Sequence, residues 1–156
     1  MGLIFDTSDL AAVTEQVVAE VKLDMIQALA EVGNYGKAKV MARYASGNKP
    51  SISEATRKRR RSAGISGDIG LYATGQLAGN VIYQVTGGEE PYVDIKIAQG
   101  AVYAPRRGYG SPKSLQQLAE GFEAGEYGLG KWKGSVWGHV FDTEQEQFAE
   151  IINKYL

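Results

Sequence analysis

Between Leu10 and Val32 the apolar residues fall at Leu10, Val13, Val17, Val21, Met25, Leu29 and Val32, three or four positions apart. An α-helix completes a turn in about 3.6 residues, so this spacing lines them along one helical face. Asp6, Ser8 and Asp9 precede the run, with short side-chain oxygens able to accept hydrogen bonds from first-turn amides. Apolar spacing resumes at Val40, Met41 and Tyr44. The pattern predicts a long helix over residues 8–46, bent or broken near Gly33-Asn34. Gly47-Asn48-Lys49-Pro50 ends it, because glycine accepts positive φ and the residue before proline disfavours helix. Ser53-Glu54-Ala55-Thr56 then starts a short helix running into Arg57–Arg61, and residues 62–70, rich in Gly and Ser, predict a surface loop.

From Asn80 the period changes to two. Val81, Tyr83 and Val85 alternate with Ile82, Gln84 and Thr86, and Val93, Ile95 and Ile97 alternate with Asp94 and Lys96. Gly87-Gly88-Glu89-Glu90-Pro91 lies between, so the stretch predicts a β-hairpin, with residues 101–104 as a candidate third strand. An isolated hairpin is barely stable in water and needs the long helix against its apolar face. Residues 114–124 are weakly helical. Residues 125–138 form a Gly-rich loop or extended arm carrying both tryptophans. Asp142-Thr143-Glu144-Gln145 resembles a capped helix start, and Phe148, Ile151, Ile152 and Tyr155 give that C-terminal helix an apolar face. The elements add up to one α+β domain over residues 1–156: a long N-terminal helix packed on a small antiparallel sheet, with a C-terminal helix closing the core.

Composition agrees with one folded domain: 156 residues, 44% hydrophobic and 22% charged. The absence of cysteine removes disulfides and thiolate metal sites. The first twenty residues carry Asp6, Asp9, Glu15 and Glu20 and lack the basic start and apolar run of a signal peptide. No stretch approaches the roughly 20 consecutive apolar residues that span a bilayer, so no membrane partner is expected. The net charge of −1 conceals segregation: residues 1–36 balance at −5, residues 37–113 at +8 and residues 114–156 at −4. Such a distribution suits a subunit that meets copies of itself, or charged partners, through distinct faces.

Catalytic chemistry finds little to build on. Gly125 to Lys131 has the spacing of the first seven positions of a phosphate-binding loop. The next residue should be Ser or Thr to hold magnesium, and it is Trp132, while the residues before the loop read as helix rather than buried strand. His139 is the only histidine, too few for an imidazole triad or zinc site, and its apolar neighbours Val140 and Phe141 predict a partly buried packing residue. Glu89-Glu90 sits in a turn, where adjacent carboxylates are solvated, and no loop has EF-hand spacing. No catalytic, cofactor-binding or metal-ligating residue is nominated, no cofactor is expected, and the chain is not expected to be an enzyme.

The strongest local charge feature is Arg57, Lys58, Arg59, Arg60 and Arg61. On a helix, successive residues lie about 100° apart, so no single face collects all five. Two readings stand: contact with DNA phosphates or an acidic partner surface, or a solvated helix end whose cations complement the helix dipole. Arg106 and Arg107, beside Tyr103 and Tyr109, could extend such a patch, with aromatics able to stack on bases or to pack in an interface.

The middle of the chain resembles a known family. Lys49-Pro-Ser-Ile-Ser-Glu-Ala-Thr56, followed by Arg57–Arg61, is similar to the P-L-S-x-x-T-x-x-R-R segment of tailed-phage virion-morphogenesis and tail-completion proteins. Leu71-Tyr-Ala-Thr-Gly-Gln-Leu77 resembles their L-x-x-T-G-x-L-x-x-S-I motif, and Tyr103-Ala104 with Gly110 resembles their Y-A-x-x-x-x-x-G. The motifs span roughly residues 37–110 and stand in the family's order. Asn80 departs from the usual Ser or Thr, Trp137 to Phe141 replaces an R-P-F segment, and residues 111–135 read as an insertion. In this resemblance Thr74, Gly75, Leu77, Tyr103 and Ala104 are structural: Thr74 can cap a turn, Gly75 can take positive φ, and Leu77 would anchor the following strand in the core.

What the resemblance implies is a homo-oligomeric ring in the neck of the virion, made in the host bacterial cytoplasm, that joins head to tail around the DNA channel. Its partners would be other neck, connector and tail proteins, with non-specific contact to genomic DNA in the channel. A tail terminator or tail-tube partner, and a DNA-binding protein acting through residues 57–61, are the alternatives.

Overall fold

The computed structural model describes residues 7–46, 51–64, 75–103, 113–127 and 130–156. The apolar run at helical spacing forms one unbroken helix, α1 (Thr7–Ala45). No break occurs at Gly33, because that glycine and Gly36 serve a different end. Both lie buried against the hairpin. A Cβ at Gly33 would sit 2.8 Å from Tyr83 Cγ and from Val93 Cγ2, and one at Gly36 would collide with Ile95. The missing side chains let the helix backbone approach the strands closely, and packing outweighs the roughly 1 kcal/mol of helix propensity that each glycine costs.

The basic segment is helical as expected, in α2 (Glu54–Ser62), with Ser53 as its cap: Ser53 Oγ accepts a hydrogen bond from the Thr56 amide at 3.2 Å. A single turn, α3 (Gln76–Gly79), follows Gly75, whose φ of 73° is the left-handed conformation that favours glycine. The period-two stretch is an antiparallel hairpin of β1 (Val81–Thr86) and β2 (Tyr92–Ile97), in register from Val81 opposite Ile97 to Thr86 opposite Tyr92. The candidate third strand does not join it. β3 (Val102–Tyr103) pairs instead with β4 (Lys113–Ser114) in a separate ladder. The hairpin ends where the Ala98 amide donates to Asn80 O at 2.8 Å, and a turn closed by Ala101 N to Ala98 O carries the chain away.

Helix α4 (Leu115–Ala124) is capped by Ser114 and ends at Gly125, whose φ is 84°. The following segment takes the form of a loop, not an arm: residues 130–136 turn back on the body and bury Trp132 and Val136. The last helix, α5 (Trp137–Asn153), begins five residues before the expected cap at Asp142. Its cap is tertiary and therefore invisible to local pattern. The carboxylate of Glu123, on α4, accepts from Val136 N at 2.9 Å and from Gly138 N at 3.3 Å. Thr143 lies inside α5, its hydroxyl donating to His139 O at 2.8 Å.

Helix α5 runs antiparallel along the second half of α1. Trp137 Nε1 donates to the Tyr44 hydroxyl at 2.8 Å, Tyr35 meets Phe148 edge-on at 5.9 Å, and Glu31 accepts from Tyr155 at 2.8 Å. The core gathers Val40 and Tyr44 of α1, Ala78, Val81, Ile97, Leu115, Ala119, Val136 and Val140. Leu77 and Tyr103 pack against this cluster from its edge. The architecture is α+β, as the periodicity predicts.

Candidate contact surface

Nothing in α2 is buried. Lys58, Arg59 and Arg61 are exposed, Arg57 and Arg60 half-exposed, and Arg57 pairs with Glu54 at 3.3 Å, one turn away. Five cations against one carboxylate give the helix a charge of +4. Three of them lie in its last turn, where the helix dipole favours positive charge. Arg106, Arg107, Thr74 and Ala104 lie outside the described residues, so no arrangement of the two arginine groups is given. Of the resemblance residues, Gly75 has the positive φ expected of it, and Leu77 sits half-buried beside Ala78 in α3, just before β1.

A second surface was not singled out in the sequence. On the helix that packs against the sheet, the stretch carrying Val13, Val17 and Val21 lies beyond it. Val13 is 57% exposed, Val17 51%, Val18 48% and Val21 51%. Among the α1 side chains described, from Ala11 onward, burial begins at Ala28 and Leu29. The reason is length, which the sequence does contain. A 39-residue helix runs roughly 58 Å at 1.5 Å per residue, whereas a six-residue strand spans roughly 20 Å. The 17-residue α5 spans only roughly 25 Å and lies along the same half of α1 as the hairpin. The hairpin turn reaches α1 near Ile26, and α5 ends beside Glu31, so the cover stops there.

The titrating groups with displaced pKa values gather on the α1–α5 seam, away from α2. The Tyr155 hydroxyl, and then Lys154, hold the Glu31 carboxyl below the ordinary carboxylate range. Tyr35, and then Lys39, do the same for Glu144, which accepts from Tyr35 at 2.5 Å and pairs with Lys39 at 3.1 Å. Burial pushes the Tyr44 phenol upward, keeping it neutral across the physiological range. These are fastenings between helices.

A cleft of about 360 Å³ opens between β2, α4 and α5, with Ile95, Ile97, Ala119 and Trp137 in its wall and Asp94, Lys96 and Glu120 along it. Among the described residues no three His, Asp or Glu side chains gather as a metal site. His139 is exposed, not the packing residue its neighbours suggested, because Val140 turns inward while His139 and Phe141 face out. Gly125 belongs to the end of α4 and not to a strand-to-helix phosphate loop. Lys131 is occupied as well, donating to Ser51 O at 2.9 Å and lying 4.9 Å from the Trp132 ring. Among the described residues no helix is long and apolar enough to cross a membrane. No protein-family model matches the sequence, and neither curated proteins nor solved structures offer a match.

Proposed function

We propose that this chain is a structural, non-catalytic subunit of a tailed-phage virion, forming a ring in the neck that joins head to tail around the DNA channel. The observation that carries the reading is the order of three motifs between Lys49 and Gly110, two of which have a structural job among the described residues. Ser53 caps the basic helix, Gly75 takes the left-handed turn before Leu77, and the hairpin follows directly. The segregated charge supports it too, since a ring subunit must present unlike faces to its two neighbours. The decisive experiment is antibody labelling of tailed particles from the cells that produce the chain. Label at the head–tail junction is expected. Unlabelled particles would refute the proposal, and label at the end of the tail tube would move it to the tail-terminator alternative.

The unburied cations of α2 favour one further reading, contact with DNA through residues 57–61. It requires retention of the purified chain on duplex DNA at low salt, with release that steepens as phosphate contacts add. Charge reversal of Arg59 and Arg61 should abolish the retention. Passage of the unaltered chain through the column at low salt rejects this reading.

A further inference from the structure

We infer that the first half of α1 is an assembly arm, whose apolar face packs against the α2-bearing side of a second copy of this chain. The inference rests on the ring-subunit reading above and names the joint of that ring.

Residues 11–27 form roughly 25 Å of helix whose side chains are all exposed save Met25. Val13, Val17, Val18, Val21 and Met25 occupy one broad side of it, in line with the core-facing Leu29, Val32 and Val40 farther along. The core face of α1 thus continues beyond the body of its own subunit. A lone exposed valine needs no explanation, but a contiguous apolar stripe on one helix marks a contact surface. Local physics points the same way. Valine is a poor helix former, and a solvated helical projection with four valines gains little from propensity. Most helical stability in proteins comes from packing an amphipathic face, and among the described residues nothing covers that face.

Charge selects the partner. Residues 11–27 carry Glu15, Glu20 and Asp24 against Lys22, a balance of −2. Two such arms laid together would bring like charges into register, which disfavours a symmetric arm-to-arm dimer. Helix α2 carries +4 and buries none of its residues. An acidic arm meeting the side of a neighbour that bears α2 sets opposite charges together. It joins two different faces, the head-to-tail geometry that closes rings.

The test uses the full chain and two double variants. In V17E/V21E, glutamate favours helix more than valine does and both sites are exposed, so the monomer should fold and melt as before. R59E/R61E reverses charge on the opposite face. Sedimentation velocity across a wide concentration range should show the unaltered chain associating, and each variant alone at least about a hundredfold weaker: V17E/V21E because carboxylates in an apolar joint lose their solvation, R59E/R61E because acidic groups then face each other across the joint. Mixing the two variants should restore a dimer and nothing larger, because one intact arm and one intact basic face remain. The inference is overturned if the unaltered chain stays monomeric, if V17E/V21E associates normally, or if the mixture gives no dimer. Vesicle binding that V17E/V21E abolishes, from a chain that never associates, would assign the stripe to a lipid surface and overturn it equally. Label at the neck with normal assembly of V17E/V21E would remove the arm and leave the neck reading. An arm-dependent oligomer with unlabelled particles would do the reverse.

Discussion

Glu123 of α4 caps α5 from outside that helix, with its carboxylate 2.9 Å from Val136 N and 3.3 Å from Gly138 N. Val136 offers no side-chain cap of its own, so a single carboxylate ties together two helices and the loop between them. Removing it exposes first-turn amides and the positive end of a helix dipole at once. E123A should cost about 1–2 kcal/mol in urea unfolding. E123Q should cost less, keeping an accepting oxygen while losing the charge. Equal stability of E123A and the unaltered protein would show that the contact contributes nothing.

Gly33 supports an opposite expectation from the one helix propensity gives. Replacing a mid-helix glycine by alanine ordinarily gains about 1 kcal/mol. Here the new methyl would meet the Tyr83 ring and Val93, and overpacking of this kind costs about 1–3 kcal/mol. G33A should therefore lower the melting temperature, while N34A, at the exposed neighbouring position, should leave it unchanged or raise it.

Glu31 and Glu144 make the α1–α5 seam sensitive to acid. Both carboxyls lie below their ordinary value in the folded chain, so the unfolded chain binds more protons as pH falls. Their contribution is complete above the ordinary carboxylate value of 4.5 and fades as pH drops below it. The melting temperature should decline over that acid range. In E31Q/E144Q the decline should be shallower, with lower stability than the unaltered chain at neutral pH. An unaltered acid slope in the double variant would refute the assignment.

Tyr44 is 1% exposed and its hydroxyl accepts from the Trp137 indole. Y44F leaves that indole N–H without its acceptor in a half-buried place, at about 1–2 kcal/mol. W137F removes the donor and some packing. The double variant Y44F/W137F should lose less than the two single losses combined, which denaturant titration of all four proteins would measure.

The sequence by itself determined the local elements. Apolar steps of three and four define α1 and α5, alternation defines β1 and β2, and Ser53 and the turn glycines mark boundaries because caps and positive φ are local chemistry. It determined the basic character of α2 as well. Tertiary structure decided what distant groups share. Gly33 reads as a helix breaker until Tyr83 and Val93 stand against it, and α5 starts at Trp137 only because Glu123 arrives from another helix. It also decided that the valine stripe of α1 splits in two. Periodicity shows that a helix has an apolar face, but the reach of its neighbours sets how much of that face is covered. The hairpin and α5 cover α1 from about Ile26 onward, and Val13, Val17 and Val21 stay exposed.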